Sequence, residues 1–259
     1  MIYDKRIDGL RAIAVLTVII YHLNFFYNGF KIFPGGFFGV DIFFVISGYL
    51  ITGILLDKKI TLKEFYIKRA RRILPMLLIV VSLTSIAGYF ILLPAQLIEL
   101  SETSLSNLLF SSNIYFWLEA QKYADETSLI KPLLHTWTLS VEEQFYFFYP
   151  LILLFFKRNN RYISIVLLIS FTSLFFSKLI EYYAPNFNFY LIFSRAWEIG
   201  FGCSIYFLKK HLKFKPSFLI SEILGFFGLF LILFSICFFN DKNNYPNFST
   251  LLPVIGTFI

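Results

Sequence analysis

Apolar residues run along this chain in blocks of about twenty, separated by short stretches rich in lysine and arginine. The blocks fall near 8–28, 36–56, 73–93, 139–156, 163–182, 189–208 and 217–239, and a last one starts near 250. A helix rising about 1.5 Å per residue needs roughly 20 apolar residues to cross a hydrocarbon core of about 30 Å. All the blocks but the last approach that length. The last, Leu251 to Ile259, stops before it crosses, so the chain reads as truncated within a helix. The pattern predicts an all-α fold: a polytopic transmembrane helix bundle of about eight spans, with residues 1–259 as one membrane domain.

The segment 94–138 breaks the pattern. Its apolar part, Leu105 to Leu118, is short and interrupted by Ser106, Asn107, Ser111, Ser112 and Asn113. The charge pattern decides where it belongs. Lys58, Lys59, Lys63, Lys68, Arg69, Arg71 and Arg72 lie between the second and third blocks. Lys157, Arg158 and Arg161 follow the fourth block, and Lys209, Lys210, Lys213 and Lys215 follow the sixth. The alternate loops hold only Lys31, Lys122, Lys131 and Lys242. By the positive-inside rule the basic loops and the N-terminus, with Lys5, Arg6 and Arg11, face the cytoplasm. A span inside 94–138 would invert every later loop, so this stretch is predicted to be interfacial or re-entrant on the outside.

Composition agrees with the pattern. Of the 259 residues, 58% are hydrophobic and only 15% charged, against about 25% charged in a soluble domain. A net charge of +7 invites a nucleic-acid reading. Its confinement to short loops between apolar runs argues for a lipid bilayer instead, and no nucleic-acid partner is expected. The first apolar run carries Asp8, Arg11 and His22 with no small-residue cleavage site after it, so it reads as an uncleaved span. Cys203 and Cys237 sit in apolar runs and read as core residues. Three histidines and two cysteines are too scattered for a zinc site, so no metal is expected.

The candidate chemistry lies in charges placed within the apolar blocks, where ionisable groups are costly and mark functional pathways. Arg11 and His22 are eleven residues apart, about three helical turns, so they share a face. His22 falls about 21 Å along the first span, and Asp41 lies at nearly the same depth in the returning second span. An aspartate accepting from one imidazole nitrogen would make the other a better base. Glu142 and Glu143 open the fourth span from the outside, and Arg195 and Glu198 lie in the outer half of the sixth. Polar groups also pair in membrane bundles merely as packing glue, and Arg195 with Glu198, at i and i+3, fits a buried ion pair. Arg69 and Arg72 share a helix face, which suits either a phosphate clamp or lipid headgroups. His135 beside Trp137 is a rival catalytic histidine or a member of an interfacial aromatic belt.

Several stretches together resemble one family. They are Asp8-Gly9-Leu10-Arg11-Ala12-Ile13-Ala14 followed by His22, Gly39 through Ile51 around Asp41, and Arg69-Ala70-Arg71-Arg72-Ile73-Leu74-Pro75. To these add His135-Thr136-Trp137-Thr138-Leu139-Ser140-Val141-Glu142-Glu143-Gln144-Phe145-Tyr146 and Ser194-Arg195-Ala196-Trp197-Glu198. In order and spacing they are similar to the acyltransferase-3 family of bacterial membrane O-acyltransferases, which modify O-antigen and peptidoglycan. The resemblance covers nearly the whole chain.

That resemblance implies a multi-pass protein of the bacterial inner membrane. It implies transfer of an acyl group, usually acetyl, from cytoplasmic acetyl-CoA to a hydroxyl of an extracytoplasmic glycan such as lipopolysaccharide O-antigen, exopolysaccharide or peptidoglycan. The family's Arg-x10-His pattern falls on Arg11 and His22, and its Arg-x-x-Arg pattern on Arg69 and Arg72. The expected division of labour follows. His22 activates the acceptor or carries the acyl group, with Arg11, Asp41, Glu142 and Glu143 as further catalytic candidates. Arg69 and Arg72 hold the donor's phosphates. Trp137, Arg195, Glu198 and His135 are the candidates for substrate binding. The competing reading is a proton-coupled transporter or flippase for lipid-linked sugars, which would use the same buried charges as a relay.

Overall fold

A computed structural model describes residues 5–57, 60–122, 131–157, 161–211, 217–240 and 245–259. Of the basic residues that set the orientation, Lys58, Lys59, Arg158, Lys213, Lys215 and Lys242 lie outside the described residues. The described chain is helical almost throughout; its one sheet among the described residues is a two-stranded ribbon in which Phe26 pairs with Lys31 and Tyr27 with Phe30. The chain divides into two compact units. One comprises Met1–Lys58, Leu153–Phe189 and Phe193–Ile259; the other comprises Lys59–Ile152 and Tyr190–Ile192.

The first unit contains α1 (Lys5–His22) and α2 (Gly39–Asp57). Five described helical segments are long and apolar enough to cross a membrane: Gly36–Asp57, Leu62–Ile91, Leu134–Phe156, Tyr162–Ile180 and Phe218–Phe238. The expected first span, 8–28, is corrected. The helix ends at His22, because Asn24, Asn28 and Gly29 all take positive φ and turn the chain into the ribbon. Asparagine and glycine tolerate that region.

The expected start of the third span at 73 is corrected too. α3 runs over Leu62–Ile91. Thr61 and Glu64 form a capping box, Thr61 Oγ1 accepting from the Glu64 amide at 3.2 Å and Glu64 Oε2 from the Thr61 amide at 3.1 Å. Two of the helix's orphan N–H groups are thereby satisfied. The box starts the helix eleven residues early, and Arg69, Arg71 and Arg72 become helical residues. The stretch after it folds as two short helices, α4 (Pro94–Leu108) and α5 (Ser112–Lys122), broken where Phe110 takes φ 50°. Both fall short of a span, as the sequence pattern indicates.

The chain continues through α6 (Trp137–Lys157), α7 (Tyr162–Ile180), α8 (Pro185–Tyr190), α9 (Ile192–His211), α10 (Phe218–Phe238) and α11 (Leu251–Phe258). In the first unit, Ala14 of α1, Ile42 and Ile46 of α2, and Ile232 and Ile236 of α10 form one apolar cluster. Close backbone approach positions the polar groups. A Cβ on Gly48 would lie 1.8 Å from the Ile199 carbonyl oxygen, and one on Gly202 would lie 1.9 Å from that of Val45. α2 and α9 therefore run parallel and touch main chain to main chain, the small-residue contact typical of membrane bundles. Asp41 precedes Gly48 by seven residues, and Arg195 precedes Gly202 by seven. Seven residues are about two turns, so the glycine contact sets the two charges level on facing surfaces. Gly48→Leu is expected to cost at least about 1–3 kcal/mol by overpacking, seen as a lowered melting temperature of the detergent-solubilised protein. A melting temperature equal to wild type would contradict the contact.

Candidate functional site

In the first unit the paired helices α2 and α9 close on a cluster of charges shut off from solvent. Asp41, Arg195 and Glu198 are all 0% exposed. Arg195 Nη2 lies 3.2 Å from Asp41 Oδ1, and Arg195 Nη1 lies 3.0 Å from Glu198 Oε1. A fourth member arrives from far along the chain. The Tyr245 hydroxyl donates to the Asp41 carboxylate, at 2.6 Å from either oxygen, and accepts from Arg195 Nη2 at 3.0 Å. Burial, the first cause, holds the Tyr245 phenol well above its ordinary range, so it keeps its proton and acts as donor.

Tyr245 is held in place by its neighbour. Asn188 Nδ2 donates to the Pro246 carbonyl at 3.2 Å, and Ser177 Oγ donates to Asn188 Oδ1 at 2.8 Å. Phe37, Phe38 and Phe189 pack edge-on around the Tyr245 ring, at centroid distances of 4.7, 5.7 and 5.7 Å. Sequence reasoning missed Tyr245 as a site residue. Its one signal is a tyrosine next to a proline in a polar loop, which says nothing about a partner some two hundred residues earlier.

His22 occupies the last position of α1 and is exposed. It meets Tyr21 edge-on at 5.3 Å, and Tyr21 in turn meets Phe37 at 5.5 Å. The expected pairing of His22 with Asp41 is corrected: the Asp41 carboxylate is taken up by Tyr245 and Arg195. The physical reason is the ribbon after His22, which ends α1 and removes the depth match that a continuous span would give. Arg11 bonds Asp8 one turn back at 3.3 Å and is partly exposed.

The second unit carries its own charged set. Arg69 Nε donates to Glu143 Oε1 at 2.9 Å, Nη2 of the same guanidinium lies 2.9 Å from that oxygen, and Glu142 Oε2 stands 3.9 Å away. The Arg69 guanidinium stacks 3.6 Å over the Tyr146 ring, and the Tyr146 hydroxyl donates to Glu142 at 3.3 Å. Arg69, Glu143 and Tyr146 edge a cavity of about 350 Å³ lined mainly by Phe65, Tyr66, Ile73, Phe110 and Phe147. One expectation is corrected here. Arg69 and Glu143 do not belong to opposite membrane faces, because they form one ion pair. Of the two arginines expected to hold donor phosphates, Arg69 is engaged with Glu143, while Arg72 is exposed. The early start of α3 is the cause, since it carries Arg69 into the helix body.

A double-mutant cycle tests that pair. Arg69→Ala is expected to cost about 1–3 kcal/mol, because it removes a charge-assisted bond from a mostly buried carboxylate. Adding Glu143→Gln should recover part of that loss, read as melting temperatures of the four proteins. Additive losses would show that the pair carries no coupling.

The remaining candidates lie in the second unit. Trp137 is buried edge-on against Tyr190 at 5.5 Å, so its ring packs in the core of that unit. His135 is exposed in the short turn Leu134–Thr136. Beside them, Ser112 and Ser140 bond at 2.7 Å, and Asn113 and Gln144 exchange hydrogen bonds. Of the residues that interrupt the apolar run 105–118, Ser112 and Asn113 are thus buried polar partners for α6.

Residues 4–259 match the family model described as acyltransferase domain, of the acyltransferase-3 type. The chain belongs to the acyltransferase-3 family. It is 34% identical over 227 residues to the peptidoglycan O-acetyltransferase OatA of Listeria monocytogenes, covering 83% of this chain and 35% of that protein. It is 35% identical over 215 residues to the putative peptidoglycan O-acetyltransferase YrhL of Bacillus subtilis, covering 78% and 33%. A putative O-acetyltransferase of Staphylococcus aureus is 40% identical over 151 residues, 56% of this chain and 24% of its own length. The chain therefore spans about a third or less of the length of these relatives. No solved structure matches it. Membership agrees with the resemblance carried by Arg11-x10-His22 and Arg69-x-x-Arg72, and the long apolar helices make this acyltransferase-3 protein a multi-pass membrane protein.

Proposed function

We propose that the chain is the membrane part of an O-acetyltransferase that moves an acetyl group from acetyl-CoA on the cytoplasmic side to a hydroxyl of an extracytoplasmic glycan, with peptidoglycan the first candidate acceptor. The observation that carries this reading is the family match from residue 4 to 259, with relatives named for peptidoglycan O-acetylation. The bacterial inner membrane is the proposed location.

The reaction breaks the thioester C–S bond and forms an ester C–O bond, and the hydroxyl proton ends on the thiol sulfur. A hydroxyl needs a base to attack a thioester. His22, exposed at the end of α1, is the proposed base or transient acyl carrier. The buried Asp41–Arg195–Glu198–Tyr245 cluster anchors the same unit, and Arg11 lies on the same helix as His22. Exposed Arg72 is the proposed contact for donor phosphates, which suit a guanidinium.

Vesicles containing the full-length protein, given acetyl-CoA labelled in the acetyl group at the cytoplasmic face, test the proposal. Label on glycan supports transfer. Translocated glycan without label supports the transporter reading instead.

A further inference from the structure

The cavity in the second unit is kept open by polar ties between the two long helices that flank it. Tyr66 and Arg69 lie one turn apart on α3, and Glu143 and Phe147 one turn apart on α6. The Tyr66 hydroxyl donates to the Phe147 carbonyl at 2.9 Å, and Arg69 Nε donates to Glu143 Oε1 at 2.9 Å. The first tie falls on a disturbed stretch of α6. Pro150 lacks an N–H and loosens the turn before it, where Phe147 lies. Both ties join the same two helix faces, so α3 and α6 close on the space beside them only by breaking one. The walls of that space are almost wholly apolar, with Phe65, Ile73 and Phe110 among them. Such a space does not hold water, which needs several polar partners. Left void, it forfeits dispersion contacts for every atom that lines it.

Its opening shows where an occupant comes from. Leu74 of α3 and Phe147 and Phe148 of α6 line the cavity and are themselves exposed. Leu74 is the thirteenth of thirty residues in α3, and Phe148 is the twelfth of twenty-one in α6. Both helices are long and apolar enough to cross a bilayer, so these mid-helix positions fall within a hydrocarbon core of about 30 Å. The opening therefore faces acyl chains.

We propose that this cavity is a lipid site, which takes one acyl chain of a membrane phospholipid from the side. Its volume of about 350 Å³ is near the lower end of ligand pockets, which run from about 300 to 1,000 Å³. It admits a segment of chain and excludes a headgroup. The chain packs against Phe65, Ile73 and Phe110 and supplies the contacts a void would lose. It stops at the Arg69–Glu143 pair, whose charges stay on each other. The bound chain fixes the spacing of α3 and α6. The site rests on the membrane-spanning helices and does not depend on the transferase reading.

Photolabelling of the full-length protein in phosphatidylglycerol vesicles tests the assignment. The probe is phosphatidylglycerol with a diazirine midway along one acyl chain. Phe65 and Tyr146 line the cavity yet are buried, so bulk lipid does not reach them. The wild type should carry label on both, and a probe with the diazirine on the headgroup should leave both unlabelled. Ala70 also lines the cavity. Ala70→Phe should fill the space and bring the label on Phe65 and Tyr146 to background, while label on exposed Phe227 of α10 stays at the wild-type level. Melting temperatures check that the variant folds, and Ala70→Leu serves if it does not. No label on Phe65 and Tyr146 in wild type, or unchanged label in a folded Ala70 variant, would overturn the proposal. Loss of the label on adding acetyl-CoA would also overturn it, by giving the cavity to the acyl donor, and would leave the transferase reading intact.

Discussion

Arg195→Met should remove most of the folded protein from the membrane. The side chain is fully buried and pairs with carboxyls on two helix positions, Asp41 and Glu198. Removing one partner of a buried pair costs about 3–5 kcal/mol, because the remaining charge is left in a low dielectric. Here two carboxyls and the Tyr245 hydroxyl lose their common partner, so the upper end of that range applies. Against a total stability of about 5–15 kcal/mol the loss is large. The measurement is the monodisperse fraction and melting temperature after detergent extraction. The triple variant Arg195→Met, Asp41→Asn, Glu198→Gln should regain much of what the single variant loses, since no unbalanced charge remains buried. An Arg195→Met protein as stable as wild type would show that the cluster does not hold α2 to α9.

His22→Ala is expected to behave in the opposite way. The side chain is exposed at a helix end, so the melting temperature should stay close to wild type. Transfer of labelled acetyl to glycan should fall by about 10²–10⁴-fold, the range for loss of a positioned general acid–base group. Glycan acetylation at the wild-type rate in the His22→Ala protein would remove His22 from the proposed chemistry. Together the two variants separate a group that holds the unit together from one proposed to act on substrate. Both are ionisable side chains in an apolar run, and sequence position alone does not distinguish them.

Much of the architecture is legible from apolar block lengths. The blocks near 36–56, 163–182 and 217–239 coincide with α2, α7 and α10 to within a few residues. The interruptions at Ser106, Asn107, Ser111, Ser112 and Asn113 mark a stretch that forms two short helices and no span. Helix starts set by capping are harder to read. The Thr61–Glu64 box was hidden inside a basic segment that looked like a loop, and missing it misplaced Arg69 relative to Glu143. The end of α1 was hidden by Phe25, Phe26 and Tyr27, which extend the apolar run while Asn24 and Asn28 already turn the chain.

By itself, the sequence determined that the chain is a helical membrane protein, and its motif order determined the family. Both are properties of composition and spacing, and hydrocarbon imposes them on any backbone that must satisfy its own hydrogen bonds. Tertiary structure alone decided which charges meet. Asp41 found Arg195 and Tyr245 instead of His22 because facing glycines bring α2 and α9 into contact and a distant loop delivers a phenol. Arg69 found Glu143 because α3 starts early. Partner choice depends on angstrom-scale distances between segments far apart in the chain, where a buried charge takes whichever counter-group the packing sets beside it.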